Sequence, residues 1–159
     1  MKQKTLSVLL TVAGAIACLG VGLVFFVFAP VLGAEARDAV PEYAPLFWPG
    51  MIYLWAIAAC YLTALVCYFR VSARIGQNRS FCMENVRSMR AIFVAFTAAA
   101  ALWLAGIAAW FLLPYDLGPG WLYVALFALA SGAVALLAYA LSGLLLRAAR
   151  LQEDSDLTV

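Results

Sequence analysis

Long apolar stretches separated by short polar segments dominate the chain. Four of them run from about residue 6 to 29, 46 to 69, 91 to 113 and 121 to 146, with no Asp, Glu, Lys, Arg or His in their interiors. Each exceeds the roughly 20 residues that an α-helix needs to cross a hydrocarbon core of about 30 Å. Strands of a membrane β-barrel would alternate apolar and polar positions over about 10 residues, and these stretches do not. The pattern predicts an all-α fold, a bundle of four transmembrane helices.

The composition agrees with a chain that lies mostly in lipid. It is 67% hydrophobic and 11% charged, with a mean hydropathy of +1.01, whereas a soluble domain is roughly half apolar and a quarter charged. We therefore expect the lipid bilayer to cover most of the surface. The net charge of +2 favours neither an acidic substrate nor direct binding of nucleic acid. We predict a single transmembrane domain over residues 1–150 and a disordered acidic tail over residues 151–159.

The positions of Lys and Arg predict the orientation of the chain. Nine of the ten precede the first apolar stretch, lie between the second and third, or follow the fourth, and the tenth is Arg37. Cytoplasmic loops are enriched in these residues, so we expect both termini in the cytoplasm and the 30–49 and 114–120 loops outside. Aromatic rings that favour the membrane interface lie at the outer ends of the stretches: Trp48, Tyr53, Tyr115, Trp121 and Tyr123. The predicted location is the inner (plasma) membrane of the cell, with several passes.

The first apolar stretch has some features of a secretory signal peptide. It follows Lys2 and Lys4, and it precedes Ala34-Glu35-Ala36, which resembles a cleavage site. Its apolar run is much longer than the roughly 7–15 residues of a signal core. We therefore expect a retained helix, which Pro30 should end.

Groups that carry chemistry are scarce in the sequence. The chain has no His and no charge inside the apolar stretches, whereas proton relays, ion paths and voltage sensors need ionisable groups at depth. Transporters usually have helices interrupted by Gly or Pro near the midplane. No Pro falls in the interior of a predicted helix, since Pro49 lies near the first turn of the second one. We also find no catalytic Ser/His/Asp arrangement, no acidic pair at depth and no Gly-rich phosphate loop. We expect no enzymatic activity, no catalytic residues and no cofactor.

Cysteines and small residues have simple structural explanations. The spacing of Cys18, Cys60, Cys67 and Cys82 favours apolar filling and one exposed thiol over a metal site or disulfides. Small residues recur every four positions, which lets helix backbones approach closely in lipid: Gly14, Cys18 and Gly22, then Ala101, Ala105 and Ala109, then Ala128 and Gly132. These faces fit packing within one bundle or the seam of a homo-oligomer. Packing within one bundle is favoured, and because alanine is abundant, chance matches to this spacing are also expected.

The polar segment between the second and third stretches is the richest in candidate chemistry. Gly76-Gln77-Asn78 predicts a turn, and Ser80 could cap a helix that begins near Phe81. On a helical projection, an apolar stripe and a polar arc separate: Cys82, Val86, Met89 and Phe93 against Glu84, Asn85, Arg87, Ser88 and Arg90. A Glu84–Arg87 pair is expected across one turn. The segment fits an anchor whose arginines reach lipid phosphates, a docking site for a cytoplasmic protein, or a ligand or nucleotide site.

The run from Phe81 to Arg90, FCMENVRSMR, resembles the inner-loop signature of an uncharacterised bacterial family of small four-helix membrane proteins. The family pattern is Phe, a small hydroxyl residue, two further residues, Asn, and a Leu/Met-Arg step into the third helix. Cys82 stands where the family usually has Ser. Genes of the family often adjoin one for a small helix-turn-helix protein, so the resemblance implies control of such a regulator. The positions that the resemblance carries over are Phe81, Glu84, Asn85, Arg87 and Arg90.

Three functions are compatible with the sequence. The leading hypothesis is a sensor or tether whose 70–90 loop holds or releases a cytoplasmic helix-turn-helix transcription regulator. The alternatives are a carrier or efflux protein for lipophilic small molecules, with a pocket between helices, and an accessory subunit of a larger membrane complex.

Overall fold

The computed structural model of the protein describes residues 3–77, 82–113 and 118–156. Within these ranges there is no β-strand, and four helical spans are long and apolar enough to cross a membrane: Thr5–Ala39, Pro41–Gly76, Met83–Leu112 and Gly118–Leu151. The predicted all-α, four-transmembrane-helix architecture is confirmed.

The spans are built from five α-helices and three short helical turns of other types. The α-helices are α1 (Gln3–Leu23), α2 (Ala29–Ala39), α3 (Phe47–Gly76), α4 (Met83–Leu112) and α5 (Trp121–Asp156). A π-helical turn, Val24–Phe28, joins α1 to α2, and 3₁₀ turns at Pro41–Leu46 and Gly118–Gly120 precede α3 and α5. The first span therefore consists of α1, the π turn and α2.

Pro30 does not end the first helix, so that prediction is wrong. The helical path passes through Val24–Phe28 and continues as α2 to Ala39. Proline lacks an N–H, and inside a regular α-helix its ring clashes with the carbonyl four residues earlier. In the wider π turn the N–H of Ala29 bonds Val24, five residues back, and this local change of winding lets the chain pass the proline. The segment expected to be an outer loop is thus largely helical.

The other helix ends agree better with the sequence. Helix α3 ends at Gly76 with Gln77 as its cap, as the turn signal predicts. Helix α4 begins at Met83, before the apolar stretch, and its cap is the extended Cys82, whose side chain makes no capping bond. The proposed cap Ser80 lies outside the described residues. Helix α5 differs from the prediction, because it continues to Asp156 although a disordered tail was expected from residue 151. Leu, Gln and Glu in this segment favour helix.

Within the described ranges, helix backbones approach closely only between consecutive spans: α1 with α3, α3 with α4, and α4 with α5. Side chains from all four spans meet in one core cluster around Ile57 and Trp103. A second cluster surrounds Ala64 and Ile92. In the most apolar window of the first span only 6% of residues are buried, against 22–28% in the other three. The first span is therefore the most loosely packed.

The end of the bundle at which α3 ends and α4 begins is called the basic end below. Six described arginines lie there: Arg70, Arg74, Arg87, Arg90, Arg147 and Arg150. Helix α1 starts at this end, where Ser7 contacts Ser72, and α5 finishes there. The start of α1 and the end of α5 therefore lie on the same side of the bundle. That this side is cytoplasmic stays a prediction.

The small-residue faces have different environments. A Cβ atom on Gly14 would lie 2.8 Å from ring carbons of Tyr68 and Phe69, so Gly14 permits close packing of α1 on α3. Ala128 is buried in the core. By contrast, Ala101, Ala105 and Ala109 are all exposed. Packing within one bundle therefore explains Gly14 and Ala128 but not the alanine face of α4.

Candidate functional site

A polar cluster joins the two helices at the basic end. The Nη1 atom of Arg74 on α3 donates to Oδ1 of Asn85 at 3.3 Å and to Oγ of Ser88 at 3.1 Å. Its Nε atom lies 3.5 Å from Oε2 of Glu84, and the Ser88 hydroxyl donates to the Glu84 carbonyl at 3.0 Å. These four residues are called the Arg74 cluster. Its contacts fix the first turns of α4 against the last turns of α3.

Two members of the cluster face the protein interior. Asn85 is 1% exposed and Ser88 is 8% exposed, so two residues of the predicted polar arc lie on the buried side of the helix. Ile92 and Ala95 lie on the buried face of α4. Ser88 is four residues before Ile92 and Asn85 is three residues before Ser88, so both lie on the same face of the helix. Projecting that face backwards would have located both residues. Their partner Arg74 was missed because it lies on the preceding helix.

The structure divides the five residues of the predicted docking surface. Phe81 lies outside the described residues. Glu84 is half exposed and pairs with Arg74, whereas the sequence had paired it with Arg87, and Asn85 is buried. Arg87 and Arg90 both face outward.

The apolar stripe of the same segment packs as predicted. Val86 is buried, and Met89 and Phe93 pack partly buried against the cluster around Ala64 and Ile92. One side of this segment therefore belongs to the protein core, and only the side that carries Arg87 and Arg90 is available to a partner.

Hydroxyl groups attach the first span to the helix that carries Arg74. Ser7 Oγ donates to the carbonyl of Ser72 at 2.8 Å, and Thr11 Oγ1 lies 3.0 Å from Ser72 Oγ. One turn further into the bundle, the Tyr68 hydroxyl donates to the carbonyl of Leu10 at 2.9 Å. Because Ser72 precedes Arg74 by two residues, a displacement of α1 would act directly on the helix end that holds the Arg74 cluster.

A hydrogen-bonded chain crosses the middle of the bundle. The indole N–H of Trp103 donates to the Tyr61 hydroxyl at 2.8 Å, and that hydroxyl lies 2.7 Å from Ser131 Oγ. Ser131 donates its own proton to the carbonyl of Phe127 at 2.7 Å. The bond between the two hydroxyls must therefore run from Tyr61 to Ser131. Every donor in the chain has an acceptor, which is what a polar group in an apolar core requires.

Tyr61 is also the centre of an aromatic cluster. Its ring centroid lies 5.9 Å from that of Phe25 in the π turn and 5.4 Å from that of Phe96 on α4. Together with the bond to Ser131 on α5, these contacts connect all four spans through one side chain. Sequence reasoning missed this residue, although a Tyr and a Ser inside apolar stretches are the signal that could have found it.

A cleft of about 390 Å³ lies beside Tyr61, where the backbones of the first and fourth spans do not meet. It is lined by Ala13, Gly14, Ala17, Val21, Tyr61, Ala64, Leu65, Tyr68, Ile92, Phe96 and Val134. No charged residue is among them. The size and apolar lining of the cleft suit a lipophilic molecule rather than an ion.

The described residues offer no cluster of three or more His, Cys, Asp or Glu side chains that could hold a metal ion. None of the four cysteines, all of which lie in the described ranges, forms a disulfide. The described side chains can form hydrogen bonds, bind apolar molecules and attract anions through their arginines.

These features define a multi-pass, α-helical membrane protein with an apolar cleft and a polar cluster at its basic end. The chain belongs to the family described as "Protein of unknown function (DUF2975)", whose model matches residues 31–159, and the resemblance to an uncharacterised membrane family is confirmed. The match begins just after Pro30 and so omits α1 and the π turn. Comparison with curated proteins and with solved structures found no match.

Proposed function

We propose that this protein is a non-enzymatic regulatory membrane protein whose basic end holds or releases a cytoplasmic protein. The observation that carries the proposal is the Arg74 cluster, which fixes the start of α4 on α3 while Arg87 and Arg90 face outward. A partner would therefore meet a cationic surface that is held in a defined position. The family resemblance adds a helix-turn-helix transcription regulator as the partner.

The surface around the start of α4 sets the chemistry of that partner. Arg87 and Arg90 supply two exposed positive charges, and the nearby Glu84 carboxylate is engaged by Arg74. An acidic patch on the partner would match this surface, because arginines bind carboxylates through paired, charge-assisted hydrogen bonds.

The input would be the occupancy of the cleft beside Tyr61. A ligand can shift a protein between two arrangements only if it binds them with different free energies. The first span is the least buried, so moving it disturbs the fewest apolar contacts. Its hydrogen bonds to Ser72 would carry such a movement to Arg74, and from there to the surface at Arg87 and Arg90.

Co-purification tests the docking proposal. The protein is tagged at its C-terminus, extracted from native membranes in mild detergent, and the co-eluting proteins are identified. We expect a small helix-turn-helix protein that is lost when Arg87 and Arg90 are both replaced by Ala. The matched control is Arg147→Ala with Arg150→Ala, which removes two exposed charges from α5 at the same basic end of the bundle.

Two results would count against docking. If both double variants retain the partner, the surface at Arg87 and Arg90 is not the docking site. If an integral membrane protein co-elutes at constant stoichiometry instead, the chain is an accessory subunit.

A second candidate function is a carrier for lipophilic small molecules. The cleft of about 390 Å³ and the interruption of the first span by the π turn favour it, because transporters often bind substrate where a helix is broken near the midplane. Uptake of a hydrophobic dye into proteoliposomes would support this function if Ala17→Phe, which fills the cleft, abolishes it. Loss of Arg87 and Arg90 should leave such uptake unchanged.

A further inference from the structure

A second apolar depression faces the lipid between α3 and α4. This groove has a volume of about 510 Å³, and most of its lining residues are small. They are Ala59, Cys60 and Thr63 on α3, and Ala91, Val94, Ala95 and Ala98 on α4, with Arg90 at the basic end. The Thr63 hydroxyl donates to the carbonyl of Ala59 at 2.8 Å, so its polar group is already satisfied. The groove lies on a different face of α3 from the residues that line the cleft beside Tyr61.

The dimensions of the groove suit a lipid chain. Arg90 and Ala98 are eight residues apart on α4, which corresponds to about 12 Å along the helix axis. One leaflet of the hydrocarbon core is roughly 15 Å deep, half of the about 30 Å of the whole core. A molecule whose head lies at Arg90 would therefore extend its chain through most of one leaflet.

Arg90 lines the basic end of this groove, and two further arginines lie beyond it on the same helix faces. Arg87 lies one turn before Arg90 on the same face of α4, and Arg70 lies two turns beyond Thr63 on the same face of α3. All three are exposed. In the described ranges the ion pairs are Arg37–Asp38 and Arg74–Glu84, so none of the three has an acidic partner there. Like charges placed together favour an anion between them.

We infer that this groove binds one anionic phospholipid. The phosphate would lie against Arg90, with Arg70 and Arg87 adding attraction, and one acyl chain would lie along Ala91 and Ala98. Arginine suits this role because its planar guanidinium binds phosphate with two parallel hydrogen bonds. The inference does not depend on the docking of a cytoplasmic protein.

Native mass spectrometry of the purified protein in detergent tests the inference. Phosphatidylglycerol and phosphatidylcholine with identical chains are titrated separately, and the single-lipid adduct is quantified. We expect phosphatidylglycerol to bind more tightly, and Arg90→Gln to weaken it about fivefold, which corresponds to about 1 kcal/mol. The matched control is Arg147→Gln, which lies on α5 at the same basic end of the bundle. It should change lipid binding less than twofold.

Groove-filling variants test the acyl-chain part of the inference. Ala98→Phe and, from the other wall, Ala59→Leu should weaken both lipids, whereas Ala130→Phe on the exposed face of α5 should not. Free phosphate needs no apolar groove, so its binding would be unaffected by either filling variant. Thermal unfolding without added lipid shows whether each variant folds as the parent does.

Two results would overturn the inference. Equal losses in Arg90→Gln and Arg147→Gln would mean general attraction to the basic end. Unchanged lipid binding in both groove-filling variants would mean that the groove is not used. Because the assay contains no other protein, either result leaves the docking proposal standing, and co-purification tests that proposal independently.

Discussion

Trp103 on α4 donates its indole N–H to the hydroxyl of Tyr61 on α3 across 2.8 Å. Trp103 is buried, and its ring also stacks on Phe127 with centroids 5.2 Å apart. The hydrogen bond fixes the orientation of both rings, and the Tyr61 hydroxyl in turn donates a hydrogen bond to Ser131. Three helices are thus joined by directional contacts in a core that is otherwise apolar.

Replacing Tyr61 by Phe should destabilise the protein by about 1–2 kcal/mol. The change removes two hydrogen bonds, each worth about 0.6 kcal/mol in a membrane protein, and leaves a buried indole N–H unsatisfied. Thermal unfolding in mild detergent measures the effect. The exposed Tyr123 provides the control Tyr123→Phe, and equal stability of the two variants would contradict a role for the chain of hydroxyls.

Two glycines of α1 should respond in opposite ways to alanine. At Gly14 the added Cβ meets the rings of Tyr68 and Phe69 at 2.8 Å, whereas at Gly22 it meets nothing within 4 Å. We expect Gly14→Ala to cost about 1–3 kcal/mol through overpacking and Gly22→Ala to be neutral or stabilising, because alanine favours helix over glycine. Unfolding curves of both variants decide the matter. A Gly14→Ala protein as stable as the parent would show that α1 can move away from α3 at little cost.

Arg74→Ala should destabilise the basic end by about 2 kcal/mol, since hydrogen bonds that involve a charged group are worth about 1.5–3 kcal/mol. Arg74→Lys should restore only part of the loss, because an ammonium group cannot reproduce the fork that reaches Asn85 and Ser88. Hydrogen exchange at the amides of α4 reports the effect locally. Arg147→Ala is the control, and faster exchange there as well would mean that general charge, not the cluster, holds α4.

Filling the cleft should abolish binding of lipophilic molecules next to Tyr61. Ala17 lines the cleft, and a phenylalanine there would occupy much of its volume. Fluorescence titration with a hydrophobic dye should show at least about fivefold weaker binding for Ala17→Phe. Ala15→Phe, on another face of the same helix, should bind as the parent does, and a similar loss in both variants would exclude the cleft as the site.

Labelling of Cys82 should reveal which side of the membrane the basic end faces. Cys82 is partly exposed at the start of α4, whereas Cys60 lies within a span. A variant with Cys82 as its only cysteine should react with a membrane-impermeant maleimide in inside-out vesicles and not in intact spheroplasts. The variant with only Cys60 should react in neither. Labelling of Cys82 from outside would reverse the predicted orientation.

The sequence predicts the spans well because their signal is local. A run of about 20 apolar residues identifies a membrane helix without knowledge of its neighbours, and all four runs are helical in the structure. The interruption at Val24–Phe28 was not foreseen, because a proline can either end a helix or be accommodated by a change of winding. The choice depends on packing, here of Phe25 against Tyr61.

The candidate sites were harder to predict because they combine helices. The sequence indicated the importance of the segment before α4. It did not show that Asn85 is buried, because the guanidinium that donates to Asn85 belongs to Arg74 on another helix. The hydrogen bonds from Trp103 through Tyr61 to Ser131 connect three helices. Residue spacing within a single helix cannot predict them. Outward-facing Arg87 and Arg90 were correctly placed, since nothing on a neighbouring helix competes for them in the described ranges.

The packing of each span on the one before it has a consequence for biosynthesis. A helix that enters the bilayer during translation finds its main partner already inserted, so no span waits for a distant segment before it can dock. The bond from Tyr61 to Ser131 is a contact of another kind, because it joins the second span to the fourth. Arrival of α5 therefore supplies the acceptor that completes the chain of hydrogen bonds from Trp103 through Tyr61. A nascent chain that stops short of Ser131 would leave the Tyr61 hydroxyl without this acceptor inside the hydrocarbon core, which costs free energy until the fourth span is inserted.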